Sequence, residues 1–599
     1  MADQQGSDRI LSDPAQLARS LADIADRSQR LLTDWMTRNA LAGSRAVVSE
    51  SLDIAGSFAD LTTHMVTDPA RIAQAQVSLW TAYMELWQNT ATRMLGFQTD
   101  PLYEPLKGDL RFQHPAWREN EIFNYIKQSY LLVSRWLERT IHDVHNVDRT
   151  TKQKVEFYTR QFINAVSPTN FAFTNPEVIQ ATIESGGENL LRGLESLLSD
   201  LERGTTLEEI GSIWDPRFAV GKTVATSPGK VIYRNDLMEL IQYSPTTDMV
   251  LKRPLLFIPP WINKFYIVDL GESKSWVKWA VAQGHTVFLI SWVNPTGRVA
   301  EKRFEDYLRE GPLTALDVIR QATGEAEVNA VAYCVGGVLL AAAMAYLAGR
   351  GDESIATGTF LATLLDFSEP GELGVFIDEA TIAEFREATA IEGRPEAGRM
   401  ATFNLLREND LIWSFVVNNY LLGKDSFPFD LLYWNCDATA MPYVMHAFYL
   451  QKIYKENVLV KPGGMTLAGD AIDLRKVRAP TYFLSTREDH IAPWRSAYKG
   501  MRLLSGPVRF TLAGCGHISG IINPPAGNRH GYWTSDRTPP ADPESWLSKS
   551  KRREGSWWTD WDAWVKRQPG QGNMVSARVP GGGALTALGD APGSYVMPL

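Results

Sequence analysis

Cysteine is scarce in this chain, with three residues among 599: Cys334, Cys436 and Cys515. Thiols so few and so scattered suit neither the disulfide framework of a small secreted domain nor a cysteine-rich zinc site. The sequence therefore predicts a protein of a reducing compartment, the cytoplasm, and no metal.

Long apolar runs and basic clusters are also missing. No run of roughly 18 apolar residues occurs, which argues against a membrane-spanning helix. The first eight residues are polar and acidic, and they lack the basic and apolar regions of a signal peptide. The formal net charge is −9 and no long basic segment is present. We therefore expect no nucleic-acid partner held through phosphate contacts.

Aromatic residues, in contrast, are abundant, and they include 19 tryptophans. Hydrophobic residues make up 44% and charged residues 22%, the composition of a folded globular chain. The length allows two or more domains. The tryptophans imply large aromatic surfaces that face either a core or an apolar ligand. For most of them core packing is the simpler interpretation.

The first part of the chain, residues 1–215, is predicted to be a helical domain. Apolar residues recur there at helical spacing, as in Ile10, Leu17 and Leu21, and later Leu52 and Phe58. No pattern with recognisable chemistry accompanies them. We expect this domain to serve in packing or partner binding.

From residue 216 onward, short β-rich runs alternate with helical segments. The runs are apolar, which is typical of a parallel sheet covered by helices on both faces. An α/β catalytic domain over residues 216–599 is predicted. Its expected strands are 231–233, 255–258, 286–291, 329–333, 358–365, 481–484 and 508–512.

A candidate nucleophile stands in the middle of this domain. The stretch 328–340 reads as a strand, a tight turn at Cys334 and a helix, with the small-x-nucleophile-x-Gly spacing of a nucleophile elbow. The small residues are Gly336 and Ala332, where glycine is usual. A cysteine at a helix N-terminus tends toward the thiolate. Taken alone, however, a cysteine between apolar residues is more often a small core residue.

The partners of a catalytic cysteine follow in the order expected of an α/β-hydrolase. Asp489 comes after the strand 481–484, and His517 after the strand 508–512, so nucleophile, acid and histidine appear in the usual sequence. Glu488 is an alternative acid. His490 competes with His517 but adjoins the acid itself, and is otherwise a substrate contact or a structural residue. Cys515 is expected to pack.

An oxyanion hole needs two preorganised N–H groups. One is expected from Val335, directly after the nucleophile. The other is expected from the loop after the strand 255–258, at Ile262 or Trp261. A plain turn around the two prolines of this loop is an equally good interpretation.

Residues 367–465 interrupt the alternation of strands and helices. The segment is helical in pattern and rich in aromatic residues. An insertion between two sheet strands, above the nucleophile, predicts a lid.

Several longer motifs resemble the polyhydroxyalkanoate synthases, and the chain length resembles class I, the type that works without a second catalytic subunit. The motifs extend over most of residues 105–596. They are Pro259–Leu270, Gly284–Pro295, Tyr333–Gly337, Leu364–Phe367, Leu432–Asn435, Asp489–Trp494, Gly516–Pro525 and Ser556–Trp558.

The resemblance implies an α/β-hydrolase catalytic domain that transfers acyl groups from (R)-3-hydroxyacyl-CoA, with 3-hydroxybutyryl-CoA expected, to a growing polyester. Cys334 would carry the chain as a thioester and His517 would deprotonate the thiol. Asp489 would orient His517 or help to activate the 3-hydroxyl of the incoming unit. No cofactor is implied, since coenzyme A is part of the substrate and a product.

The resemblance also implies a homodimer on the surface of cytoplasmic polyhydroxyalkanoate granules, with granule-associated proteins among its partners. A role in partner binding, granule attachment or dimerisation is expected for the helical domain of residues 1–215. Trp261, His490 and Ser519 are candidate substrate contacts. Class I members often have alanine where this chain has Ser519. The extra hydroxyl near the catalytic histidine leaves the preferred side-chain length open.

Two other functions compete with polymerisation. A cysteine-dependent thioesterase or intracellular polyester depolymerase would use the same triad on water, and a site without a lid would favour it. The long aromatic insertion argues against this alternative. In a noncatalytic granule-coat or scaffold protein, the triad would have no function.

Overall fold

The computed structural model describes residues 45–202, 217–295, 297–377, 408–425, 430–437, 442–583 and 585–597, and the single positions 379, 382, 383 and 439. The chain forms two compact units. The first comprises Met1–Gly211 and Ala401–Phe427, and the second comprises Ser212–Met400 and Pro428–Leu599. The expected lid at 367–465 is therefore divided between the units, and its function as a lid stays a prediction.

The described part of the first unit is helical, as the spacing of Leu52 and Phe58 predicted, whereas Ile10, Leu17 and Leu21 lie outside the described residues. Asp68 and Asn120 cap two of the long helices by accepting backbone N–H groups with their side chains. Leu61, Ile141 and Val155 form one of its buried clusters. The helices are α1 Arg45–Val66, α2 Pro69–Met94, α3 Ala116–Glu119, α4 Glu121–His142, α5 Arg149–Ala165, α6 Pro176–Glu184 and α7 Glu188–Glu202.

Residues 408–425 pack on the last of these helices. They contain the π-helical segments Asn409–Trp413 and Val416–Leu421. The hydroxyl of Tyr420 donates to Asp200 Oδ2 at 2.7 Å. The Asn189 amide donates to the Leu421 carbonyl at 2.8 Å. This part of the expected insertion is thus held by the first unit.

An 11-stranded sheet is the centre of the second unit. The strands of the unit are β1 Gly229–Arg234, β2 Met238–Tyr243, β3 Met249–Leu251, β4 Leu255–Ile258, β5 Val287–Trp292, β6 Val328–Tyr333, β7 Ile355–Leu361, β8 Thr466–Leu467, β9 Asp470–Ala471, β10 Thr481–Thr486, β11 Val508–Ala513, β12 Tyr532–Thr534, β13 Lys551–Arg553, β14 Met574–Ser576 and β15 Gly589–Asp590. The order in the large sheet is β13-β12-β11-β10-β7-β6-β4-β5-β2-β1-β15, while β3 pairs with β14 and β8 with β9 in two small sheets. The six strands from β11 to β5 are parallel, and antiparallel strands extend both edges.

Helices accompany this sheet in the α/β-hydrolase arrangement that the sequence predicted. The long apolar helix that follows β6 is buried along nearly its whole length. In chain order the helices are α8 Trp276–Ala282, α9 Phe304–Leu308, α10 Thr314–Thr323, α11 Val335–Gly349, α12 Asp430–Cys436, α13 Tyr443–Phe448, α14 Trp494–Gly500, α15 Pro543–Lys549 and α16 Trp558–Lys566.

Each of the seven predicted strands is present, whereas β2 and the short strands at the edges of the sheet were missed. β2 contains Glu239, a residue that discourages a strand prediction. Its side chain is fully buried. It pairs with Arg234 at 2.8 Å and accepts the N–H and hydroxyl of Ser594. These partners satisfy the buried charge.

The C-terminal tryptophans pack in the core, as expected. Trp557, Trp558 and Trp561 are at most 1% exposed. The indole N–H groups of Trp557 and Trp558 both donate to the Ile521 carbonyl, at 3.1 and 2.9 Å. Because Ile521 follows His517 closely, this aromatic helix supports the loop that carries the histidine.

None of the helices within the described ranges has the length and apolar character required to cross a membrane.

Candidate active site

Cys334 occupies the sharp turn between β6 and α11. Its φ is 51° and its ψ −124°, a conformation that costs energy for a residue other than glycine and that commonly marks functional turns. Its N–H donates to the Leu361 carbonyl at 2.9 Å, and its own carbonyl accepts the Thr363 hydroxyl at 3.1 Å. The neighbouring strand β7 and the loop after it thus hold the strained backbone.

The small residues around Cys334 let the strand and the helix approach closely. A Cβ on Gly336 would lie 2.6 Å from the Ile258 carbonyl oxygen and 2.8 Å from that of Pro259. Ala332 is fully buried beside Ile258 and Phe360 in the adjacent strands. Its methyl group is therefore accommodated, whereas the glycine at 336 is required. The strand, turn and helix predicted for residues 328–340 are confirmed.

Asp489 follows β10 and lies beside His517, which follows β11. Its Oδ2 is 2.8 Å from His517 Nδ1 and accepts the Thr486 hydroxyl at 3.1 Å. Its Oδ1 accepts the N–H groups of Ile491 at 2.9 Å and Ala492 at 2.7 Å. The side chain is completely buried. These donors fix the orientation of the carboxylate and compensate its burial.

His517 connects this carboxylate to the thiol. Burial lowers the pKa of His517, but the charges of Asp489 and Cys334 and hydrogen bonds to both side chains outweigh burial and raise that pKa to about 10. His517 thus interacts electrostatically with both other members of the expected triad.

Tyr333 supports the histidine from the nucleophile strand. Its ring stacks on the His517 ring with centroids 5.5 Å apart and planes 26° apart. Its hydroxyl donates to the His517 carbonyl at 3.2 Å. Tyr333 was not predicted as a site residue, although its position directly before Cys334 was a signal. Thr486, three residues before the acid, was not predicted either.

Two tyrosines from the segment Tyr449–Lys455 lie close to Cys334. Burial raises the pKa of both Tyr449 and Tyr454, and the charge of Cys334 raises each further. Phe367 packs on Tyr454 with ring centroids 4.9 Å apart, and the Tyr454 hydroxyl donates to the Pro370 carbonyl at 3.3 Å. Buried aromatic side chains are therefore within electrostatic reach of Cys334, which is itself half-buried.

The competing residues have other environments. Glu488 is exposed, and its N–H donates to the Cys515 carbonyl at 3.1 Å, so the carboxylate that binds His517 is that of Asp489. Cys515 is half-buried. His490 and Ser519 are also half-buried.

The loop after β4 lies against the start of α11, as the approach of Ile258 and Pro259 to Gly336 requires. Trp261 is 1% exposed and packs edge-on against Tyr449 at 5.6 Å between centroids. Ile262 is 9% exposed. Val335 is the first residue of α11, where an N–H has no partner within the helix. The oxyanion roles and the substrate contacts stay predictions.

Family comparisons agree with this architecture. Residues 108–280 match the family described as "Poly-beta-hydroxybutyrate polymerase (PhaC) N-terminus". Residues 270–524 match the α/β-hydrolase fold family.

Several relatives are similar to the chain over most of their length. The poly(3-hydroxyalkanoate) polymerase of Methylorubrum extorquens is 49% identical over 533 residues, which cover 88% of this chain and 87% of the relative. The polymerase subunit PhaC of Rhizobium meliloti (strain 1021) is 43% identical and covers 98% of this chain and 96% of its own. That of Cupriavidus necator is 41% identical and covers 88% of each.

Proposed function

The chain belongs to the poly(3-hydroxyalkanoate) polymerase family, and from this premise we propose that it elongates a polyester held as a thioester on Cys334. The proposed donor of the units is 3-hydroxybutyryl-CoA. The observation that carries the proposal is the hydrogen bond of His517 to Asp489 together with the elbow conformation of Cys334, whose charge acts on His517.

Acylation begins with the sulfur of Cys334. His517 takes the proton of the thiol, and the sulfur attacks the thioester carbonyl of the hydroxyacyl-CoA. A bond forms between the sulfur and the acyl carbon, and the bond to the coenzyme A sulfur breaks. His517 returns its proton to the departing thiolate, so free coenzyme A leaves and the acyl group stays on Cys334.

The negative charge that develops on the carbonyl oxygen requires two donors. The N–H of Val335 and that of Ile262 are the proposed pair. The buried packing of the loop after β4 against the start of α11 supports this assignment.

Elongation transfers this acyl group to an alcohol. The 3-hydroxyl of a second hydroxyacyl-CoA attacks the thioester on Cys334, its proton passes to His517, and an ester bond forms as the bond to the Cys334 sulfur breaks. The extended chain, now on the coenzyme A of that unit, returns to Cys334 by the acylation step, which releases this coenzyme A. Asp489 orients His517 through Nδ1 in both steps, and activation of the 3-hydroxyl by Asp489 is the alternative for the second step. Each cycle adds one unit and releases one coenzyme A.

Exclusion of water decides between polymer and hydrolysis. The buried rings of Tyr449 and Tyr454 beside Cys334 support an acyl-enzyme that meets the polymer hydroxyl in preference to water. Trp261, His490 and Ser519 are proposed substrate contacts. We expect Ser519 to influence which side-chain lengths of the hydroxyacyl unit are accepted.

Family membership also supports a homodimer that works in the cytoplasm, at the surface of polyhydroxyalkanoate granules and with granule-associated proteins among its partners. Sedimentation of the purified protein, with and without artificial polyester granules, tests the dimer and the attachment.

The deciding experiment is incubation with 3-hydroxybutyryl-CoA while coenzyme A and insoluble polyester are both measured. We expect one coenzyme A for each polymerised unit. Release of coenzyme A with only soluble 3-hydroxybutyrate would instead identify a thioesterase, and the polymerase proposal would be wrong.

A further inference from the structure

A buried ion pair joins Lys264 to Asp437. Nζ lies 2.6 Å from Oδ1, and the two side chains are 4% and 5% exposed. The Tyr266 hydroxyl donates to the second carboxylate oxygen at 2.8 Å. A pair so completely removed from water is held in a narrow range of geometries, because either charge without its partner would be costly to bury.

The backbone of Lys264 is also held by a hydrogen bond. Its carbonyl accepts the indole N–H of Trp434 at 2.8 Å. Trp434 lies in the last turn of α12, and Asp437 directly follows the helix. The Asp437 N–H still donates to the Tyr433 carbonyl at 3.0 Å, as in a further helical turn. The end of α12 and the residue after it thus hold both the main chain and the side chain of Lys264.

Lys264 ends the loop that carries the proposed oxyanion donor. The start of this loop is also fixed, because the Pro259 carbonyl accepts the Trp292 indole N–H at 3.0 Å and lies against Gly336. Ile262 stands between these two fixed points. Its position relative to Cys334 therefore depends on both ends of the loop.

We infer that the Lys264–Asp437 pair is a positioning device that sets the Ile262 N–H toward the acyl carbonyl. The inference rests on the proposed function, since it takes Cys334 as the nucleophile and Ile262 as an oxyanion donor. α12 belongs to the segment between β7 and β10. The oxyanion hole is then complete only while this part of the insertion is docked on the loop.

The test compares two reactions of the same thiol in the full-length protein. Acylation by 3-hydroxybutyryl-CoA needs the oxyanion donors, whereas alkylation of Cys334 by iodoacetamide forms no oxyanion and needs only an accessible, activated sulfur. Single-turnover release of coenzyme A, separated by chromatography, measures the first rate. Mass spectrometry of the peptide that contains Cys334 measures the second.

Three variants disturb the pair: Lys264→Met, Asp437→Asn and the two combined. The combined variant leaves no uncompensated charge, so it keeps the fold while it lacks the ion pair. Asp430→Asn is the matched control. It removes an ion pair to Lys274 from the same helix, at 2.7 Å, but that pair is more exposed, with side chains 35% and 14% exposed.

We expect acylation to slow roughly 10²-fold in the combined variant, the cost of a displacement of about 1 Å at a reacting group. Alkylation should stay within about threefold of the original rate, and Asp430→Asn should leave both rates near that of the unchanged protein.

Equal losses of both rates in the combined variant would mean that the pair merely stabilises the fold, and unchanged acylation would mean that it does not position the donor. Failure of the proposed function is distinguishable, because Cys334→Ala would then retain acylation.

Discussion

Nδ1 of His517 lies 2.8 Å from Oδ2 of Asp489, whose carboxylate is completely buried. The acid does not depend on the histidine for its orientation, since the N–H groups of Ile491 and Ala492 hold its other oxygen. The imidazole is therefore aligned by a rigid partner. This relationship makes the roles of the three residues testable one at a time.

Replacement of Cys334 by alanine should abolish the release of coenzyme A from 3-hydroxybutyryl-CoA, because no other thiol occupies an elbow among the described residues. Chromatographic measurement of coenzyme A checks this. Cys515→Ser is the matched control, since Cys515 is also half-buried, and it should retain most of the activity. An inactive Cys515→Ser protein would reopen the choice of nucleophile.

Asp489→Asn should lower coenzyme A release by roughly 10²–10⁴-fold, because an amide no longer secures the tautomer and orientation of His517. The rate constant for a single turnover is the appropriate measurement. Glu488→Gln alters the exposed neighbouring carboxylate and should change the rate little. If the two variants lost activity equally, the assignment of the acid would be mistaken.

The stability of the catalytic unit should depend on the proton of His517. Its pKa is raised from 6.5 to about 10 in the folded state, so the folded protein binds more protons than the unfolded chain between these values. The contribution is fully present below about pH 6.5 and is lost as the pH rises toward 10.

Urea unfolding, followed by tryptophan fluorescence at pH 6.5 and 9.5, measures this loss. His517→Gln has no such proton, so its stability should fall less over the same interval. Parallel declines in the two proteins would show that the histidine is not charged in the folded state.

Gly336→Ala should weaken both the fold and the activity. The new methyl group would lie 2.6 and 2.8 Å from two carbonyl oxygens, and because both belong to the backbone they have little room to move. We expect a loss of about 1–3 kcal/mol in the free energy of unfolding, measured by urea denaturation, together with slower acylation.

Gly349→Ala is the control on the same helix, because a Cβ there meets only Lys476 Nζ at 3.8 Å. It should be neutral or slightly stabilising. Comparable destabilisation by the two substitutions would contradict the steric explanation.

The central strands could be predicted because they are apolar on both faces, as in Phe257 and its neighbours in β4. β2 could not, since Glu239 resembles a surface residue until Ser594, 355 residues later, is known to bind it. Local sequence carries no signal for a partner so distant. The same limit applies to the edge strands, whose side chains are partly exposed and whose lengths are two or three residues.

The sequence by itself determined the elbow at Cys334 and the order of Asp489 and His517, because strand ends and tight turns require particular residues at short spacing. Only the tertiary structure decided what surrounds them. Tyr333 on His517 and Lys264 with Asp437 are pairs separated by 184 and 173 residues. Such contacts arise from the side-by-side pairing of parallel strands in one sheet and from the docking of an inserted helix. Their geometry depends on the whole sheet, and no local pattern of residues encodes it.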